Sequence, residues 1–328
     1  MPSLSRRATL GALSAALGAA ALPSLAMAQT WPVRPVKLVV PFPPGGGTDL
    51  AARIVGERLA ERLGQPVVID NRPGAATAIG VMAVVTAEPD GHTLLFSGSS
   101  SYTVNPAVRS KLAYDPFRQL APVAMVARAP LLLVTSADGP YKSVRDLLAR
   151  AAADPAAVNY ASFGAGSAPH LAGELLAQTA GVKLSAIPYK GSADAAIGVI
   201  RGDVRLGIDT MAAMGPHLQS GKLRALAVVS EKRSPLMPKV PAYGELQLSP
   251  AVLDAWYAVA APAGLPAAIR DRLLQALTAV MAEPAVRSKL QQQSMEPVLL
   301  GPQALREVMD SEITRYRALV ARAGLRLD

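Results

Sequence analysis

The sequence predicts an α/β protein of two lobes, each a mostly parallel sheet flanked by helices. Three observations carry this expectation. Apolar runs of strand length alternate with helically spaced apolar residues along nearly the whole chain. Glycine-rich turns twice join a strand to a helix. Two apolar stretches read as crossings between lobes and not as flexible linkers.

Val36-Lys37-Leu38-Val39-Val40 reads as a buried strand. Leu50, Ile54, Val55, Leu59 and Leu63 follow at helical spacing, with Gly64 suited to the helix end. Val67-Val68-Ile69 is the next strand, a helix spans 79–86, and the turn Pro89-Asp90-Gly91 precedes the strand Thr93–Phe96. Further strands are expected at 159–161, 186–187, 205–208 and 223–229. Helices carrying Leu171, Leu175 and Leu176, and then Ala195 to Ile200, lie between them. Two helices, near 267–282 and 302–323, close the chain. The crossings are placed at Val123 to Val134 and at Asp254 to Pro262, around Trp256. They divide the chain into a discontinuous first lobe, 29–128 with 250–328, and an inserted second lobe, 129–249.

The first 28 residues carry the three parts of an export signal in order: basic Arg6-Arg7, an uncharged Ala/Leu/Gly run, and Ala26-Met27-Ala28 after Pro23. Cleavage is expected after Ala28, releasing the mature chain outside the cytoplasm. Ser5-Arg6-Arg7-Ala8-Thr9-Leu10 partly matches a twin-arginine signal without its usual aromatic, so either export route stays open. No later run is long and apolar enough to span a bilayer, which takes about 18 residues or more. The chain of 328 residues has no Cys, which excludes disulfides, thiolate metal sites and a lipidated cysteine anchor. Its formal charge of +9 comes from scattered Lys and Arg with few aromatics between them, so nucleic acid is not an expected partner.

The segment Val39-Val40-Pro41-Phe42-Pro43-Pro44-Gly45-Gly46-Gly47-Thr48-Asp49 runs from a strand through glycines into a helix. Ligands of open α/β sheets sit at the carboxyl ends of strands, where this loop lies. Glycine lets backbone approach a ligand, and the first helical N–H groups, lacking partners within the helix, attract an anion. A P-loop would need Lys-Ser/Thr where Thr48-Asp49 stands, and a dinucleotide fingerprint would need Gly in place of Leu50. Tyr160 to His170 repeats the design, with Ser162, Gly164 and Gly166 in the loop, Ser167 as N-cap, and Ala168, Pro169 and His170 in the first turn. Asp209-Thr210 and Ser97-Gly98-Ser99, each at a strand end, are further candidates. The expected binding set is therefore Phe42, Gly45, Gly46, Thr48, Asp49, Ser97, Ser99, Ser162, Gly164, Gly166, Ser167, Ala168, His170, Asp209 and Thr210. Two helix starts, one per lobe, are expected to share one anion.

Catalysis finds little support. His92, His170 and His217 are the only histidines, and none stands in a metal-binding pattern. Ser167 and His170 form the one conceivable hydrolytic pair, but Ala165 breaks the Gly-x-Ser-x-Gly elbow. His92, after a turn, is expected on the surface, and His217 near a helix end. No catalytic residue, cofactor or metal is assigned.

Pro41-Phe42-Pro43-Pro44-Gly45-Gly46-Gly47-Thr48-Asp49 with Arg53 resembles the signature of the Bug family, the solute-binding receptors of tripartite tricarboxylate transporters. The likeness continues through Asn71-Arg72-Pro73-Gly74-Ala75, Pro89 to Leu95, Gly164 to Ser167 with His170-Leu171, Pro188-Tyr189-Lys190-Gly191, Gly221 to Ala227 and Ala261 to Pro266. It implies a periplasmic-binding-protein-like clamshell of type II, closing on a dicarboxylate, amino acid or aromatic acid. It also implies integral-membrane transporter subunits as partners, or a membrane histidine kinase as the alternative, and a monomeric receptor. The family's carboxylate loops fall on 42–49 and 162–170. Two positions depart from the pattern: Ala76-Thr77, where the family usually continues with Gly, and Ala242-Tyr243.

Overall fold

A computed structural model describes residues 31–164, 167–253 and 255–323. The export-signal expectation and Gly166 lie outside these residues. The chain forms two sheets, each flanked by helices, in a two-lobed α/β arrangement.

In the first sheet, β1 (Val36–Val40) is an interior strand, parallel to β2 (Val67–Asn71) on one side and β3 (Thr93–Gly98) on the other. All of β1 but Lys37 is buried, as a strand covered on both faces requires. Helix α1 (Gly47–Leu63) covers one face through Ala51, Ala52, Val55 and Leu59, and ends on the left-handed Gly64. Helix α2 (Ala78–Val85) packs Val81 and Val84 against Val39 and Leu95 on the other face. The sheet is completed by β4 (Leu120–Arg128), β10 (Trp256–Pro262) and β11 (Glu296–Leu300), in the order β11-β4-β10-β3-β1-β2. The second sheet runs β7-β6-β8-β5-β9, with β5 at Leu131–Ser136, β6 at Asn159–Ser162, β7 at Ser185–Pro188, β8 at Leu206–Thr210 and β9 at Leu223–Val228.

Both sheets are mixed, where mostly parallel ones were expected. Strands β10 and β4 run antiparallel to their neighbours in the first sheet, and β5 does so in the second. The reason is connectivity: β10 and β5 bring the chain into a lobe from the cleft side, where the βαβ strands have their carboxyl ends, so they run opposite to those strands. The outgoing β4 runs with them and is antiparallel only to β10 and β11. The stretch expected as one crossing strand, Val123 to Val134, is two strands broken at Ala129-Pro130. The Ala129 N–H donates to Ala255 O (2.8 Å), so the two crossings are tied to each other. Helices α3 (Val144–Ala153), α4 (Ala168–Ala180), α5 (Ser192–Arg201) and α6 (Met211–Gln219) flank the second sheet. Helices α7 (Ala267–Ala282), α8 (Pro284–Gln292) and α9 (Pro302–Ala323) follow β10, and α8 was not anticipated. His92 is buried, not on the surface: Trp31 meets its ring edge-on at 5.9 Å, and Asp90 Oδ1 accepts its backbone N–H (2.9 Å).

The Ala76-Thr77 departure has a conformational consequence. Gly74, Ala75, Ala76 and Thr77 have φ of 124°, 46°, 49° and 83°, so three residues with a Cβ stand in succession where glycine is favoured. Thr77 has a reason to be there: its hydroxyl accepts from Ser101 Oγ (2.9 Å) and Asn105 Nδ2 (3.1 Å) in a buried network. The Ala76 methyl has none. Ala76→Gly is therefore expected to raise stability by about 0.5–1 kcal/mol, the relief of strain exceeding the added freedom of the unfolded chain. Urea denaturation checks it, and a lower midpoint would show that the left-handed turn stores no strain.

Candidate functional site

Between the lobes lies a cavity of about 50 Å³, several times what one water needs. From the first lobe come Phe42, Gly46, Gly47 and Thr48 of the β1–α1 loop, Ser99 and Ser100 after β3, and Trp256 and Tyr257 of β10. Across from them stand Phe163, Ala168 and Pro169 of the β6–α4 loop, Gly191 and Ser192 at the start of α5, and Asp209 and Thr210 at the end of β8. Every contributing loop leaves the carboxyl end of a strand or opens a helix, as expected for open α/β sheets.

The helix starts differ in what they leave free. Helix α1 begins at Gly46 and α5 at Gly191, and neither has a side-chain cap. Their first N–H groups are therefore available to an anion. Helix α4 is capped: Ser167 Oγ accepts from His170 N (3.3 Å), and Ala168 N donates to Ser100 Oγ (3.2 Å) across the cleft. Pro169 has no N–H to offer. The loops at 42–49 and 162–170 thus do reach one cavity, but the uncapped pair facing each other is α1 and α5. An ideal Cβ on Gly46 would lie 3.4 Å from Ser192 Oγ, which shows how closely the two starts approach.

Of the residues expected to bind, Phe42, Gly46, Thr48, Ser99, Ala168, Asp209 and Thr210 line the cavity. The other described members of the set do not line it. Asp49 is buried and organises the first loop: Oδ2 accepts Gly45 N and Arg53 Nε (both 2.9 Å), and Oδ1 accepts Asn71 Nδ2 (2.9 Å). These bonds hold its carboxyl below the usual range against the opposing effect of burial. Gly45 supplies the left-handed turn, with φ 87°. Ser97 bonds Ser101 Oγ (2.6 Å) in the network beneath the β3 end. Ser162 Oγ accepts from Gly164 N (3.3 Å), and Gly164 turns at φ 90°. His170 presents its ring to Tyr160 and Glu174, with Nε2 4.0 Å from the carboxylate, and burial lowers its pKa. Ser167 Oγ donates to Gly164 O (2.8 Å) and meets His170 only through the main-chain N–H. That is a helix cap, not a nucleophile beside a base.

Gly47, Ser100, Gly191, Ser192, Trp256 and Tyr257 were not singled out from sequence as site residues. Gly191-Ser192 had a readable signal, a Gly after strand-like Ala186-Ile187 and before the helix at Ala195. Tyr257 had none, because it enters from a strand distant in sequence. Its buried hydroxyl hydrogen-bonds with Thr48 and Thr210, joining the lobes. Asp209 is fully buried; desolvation pushes its carboxyl up to about 6, opposed by hydrogen bonds from Ser192 and Thr210. Among the described residues no Lys or Arg lines this cavity. Phe42, Pro43 and Phe163 also line an adjoining groove of about 460 Å³, beside Gly74 to Thr77, Ser167 and Lys190.

A sequence profile described as the tripartite tricarboxylate transporter family receptor matches residues 51–325. The protein BugT of Bordetella pertussis is 38% identical over 321 residues, 98% of each chain. The periplasmic binding protein BugD superposes with a TM-score of 0.86 at 31% identity, covering 90% of this chain and 99% of its own. A Rhodopseudomonas palustris protein solved with adipate superposes with a TM-score of 0.86 at 35% identity, covering 90% of this chain and 98% of its own.

Proposed function

The chain belongs to the tripartite tricarboxylate transporter receptor family, and on that premise we propose that it captures a small carboxylate between its lobes and catalyses no reaction. The observation that carries this reading is the pair of uncapped helix starts, α1 and α5, opening on one inter-lobe cavity. Backbone N–H groups and helix dipoles hold a carboxylate without a cationic side chain, and a fixed donor set does not exchange protons with its ligand. The residues proposed to touch ligand are Phe42, Gly46, Gly47, Thr48, Ser99, Ser192, Asp209 and Thr210. Asp49, Gly45, Ser97, Ser162, Gly164, Ser167 and His170 shape the loops behind them. The lobes are taken as 29–128 with 250–328, and 129–249. The mature receptor acts in the periplasm as a monomer, after cleavage following Ala28, and delivers its ligand to integral-membrane transporter subunits.

The expected affinity is micromolar or tighter, equivalent to about −8 kcal/mol or better. A thermal-shift screen over small carboxylates should find acids that raise the melting temperature by mass action, while their primary amides do not. Equal stabilisation by acid and amide would remove the anion site.

A further inference from the structure

The donor set described so far accounts for a carboxylate, and it leaves one group in the cavity without a counterpart. Asp209 lies at the end of β8 and is 3% exposed. Its Oδ1 accepts the Thr210 N–H (2.6 Å), whereas Oδ2 is buried with no hydrogen-bond partner among the described residues. An unpaired buried carboxylate oxygen is unfavourable unless something meets it. Among the described residues nothing cationic does so, since neither Lys nor Arg lines the cavity. The cavity wall thus offers neutral N–H donors for a negative group and, beside them, one negative acceptor in need of a donor. A plain diacid would set further negative charge against Asp209. A zwitterion would match both ends and enter without net charge.

We propose that Asp209 takes the ammonium group of a small amino acid whose carboxylate rests on the α1 and α5 helix starts. This deepens the carboxylate reading above and rests on it. The Ser192 and Thr210 hydroxyls lean on the same carboxylate and favour its charged form against the burial that raises its pKa. Asp209 then acts as the residue that selects among acids, because the helix starts bind any carboxylate alike.

Calorimetric titration of the mature protein, freed of carried-over ligand by unfolding and refolding, tests this with matched pairs. These are alanine and propionate, aspartate and succinate, and glutamate and glutarate. In at least one pair the amino acid should bind about 10- to 100-fold more tightly than its amine-free partner, the range expected for one charge-assisted contact. Asp209→Asn, similar in shape and neutral, should erase that preference while the amine-free acid binds as well or better. The inference is overturned if the amine-free acids bind as tightly as the amino acids in every pair, or if Asp209→Asn keeps the preference. Should Asp209→Asn not fold, the wild-type pairs decide alone. If no acid of either kind binds, the carboxylate reading itself fails and this inference with it.

Discussion

Gly47→Ala should lower affinity for the carboxylate by about 100-fold, whereas Gly46→Ala, one residue away, should change it by no more than about 3-fold. The two glycines begin the same helix, so the contrast does not come from helix propensity or from the dipole. It comes from what a methyl group would meet. At Gly47 an ideal Cβ lies 2.6 Å from the Tyr257 hydroxyl and 2.8 Å from Thr210 Oγ1, both too close to stand. Those atoms belong to the clasp that joins Thr48, Tyr257 and Thr210 across the lobes, so relieving the clash means parting them. Forcing a methylene into a well-packed region typically costs about 1–3 kcal/mol, and here the penalty falls on the closed arrangement that binds ligand. At Gly46 the nearest atom is Ser192 Oγ at 3.4 Å, ordinary contact with a side chain that can turn aside. Calorimetry on both variants, with melting curves to verify folding, reads the difference. Equal affinities for the two would mean that the lobes bind ligand without this close approach.

The same comparison marks where the sequence was legible. The strand–glycine–helix pattern of residues 36–63 placed the first loop at the cavity, because local spacing and turn chemistry determine it. Ser167 was likewise readable as a cap from its position before Ala168-Pro169-His170. Its consequence was not readable: a capped helix, with Pro169 in its first turn and Ala168 bonded to Ser100, has little left to give an anion. The uncapped start at Gly191 does that part instead, and only the fold sets it opposite Gly46. Among three adjacent glycines, sequence gave no means to choose Gly47, since the deciding atoms belong to residues 210 and 257. His92 misled for a related reason. A residue after a turn is exposed unless a distant segment covers it, and here Trp31 does. The antiparallel β5 of the second sheet follows from the broken crossing at Ala129-Pro130, where an apolar run of uniform composition concealed a change of sheet.

Glu312→Ala should destabilise the protein by about 3 kcal/mol in urea denaturation, and Glu312→Gln by about 1 kcal/mol or less. Glu312 is a carboxylate from α9, 6% exposed, that joins segments far apart in the chain. Its Oε1 accepts the Trp256 indole N–H (2.8 Å), and its Oε2 accepts the Thr103 hydroxyl (2.8 Å). Trp256 is fully buried, stacks on Tyr102 with ring centroids 5.3 Å apart, and lines the inter-lobe cavity at the start of β10. Thr103 also reaches Ser99 O (3.1 Å), behind the opposite part of the same wall. Truncation to Ala leaves the indole N–H without its acceptor and opens space beside a packed aromatic pair. Gln keeps an oxygen for Trp256 and can donate its amide to Thr103 Oγ1, so the network survives with its direction reversed at one bond. Because the wall and the fold share these bonds, the Ala variant should also weaken carboxylate binding, and the Gln variant should not. A Glu312→Ala protein as stable as wild type would mean that water replaces the carboxylate at no expense. The position of Trp256 would then owe nothing to α9, and the rigidity of the cavity would have to come from the strand pairing of β10 alone.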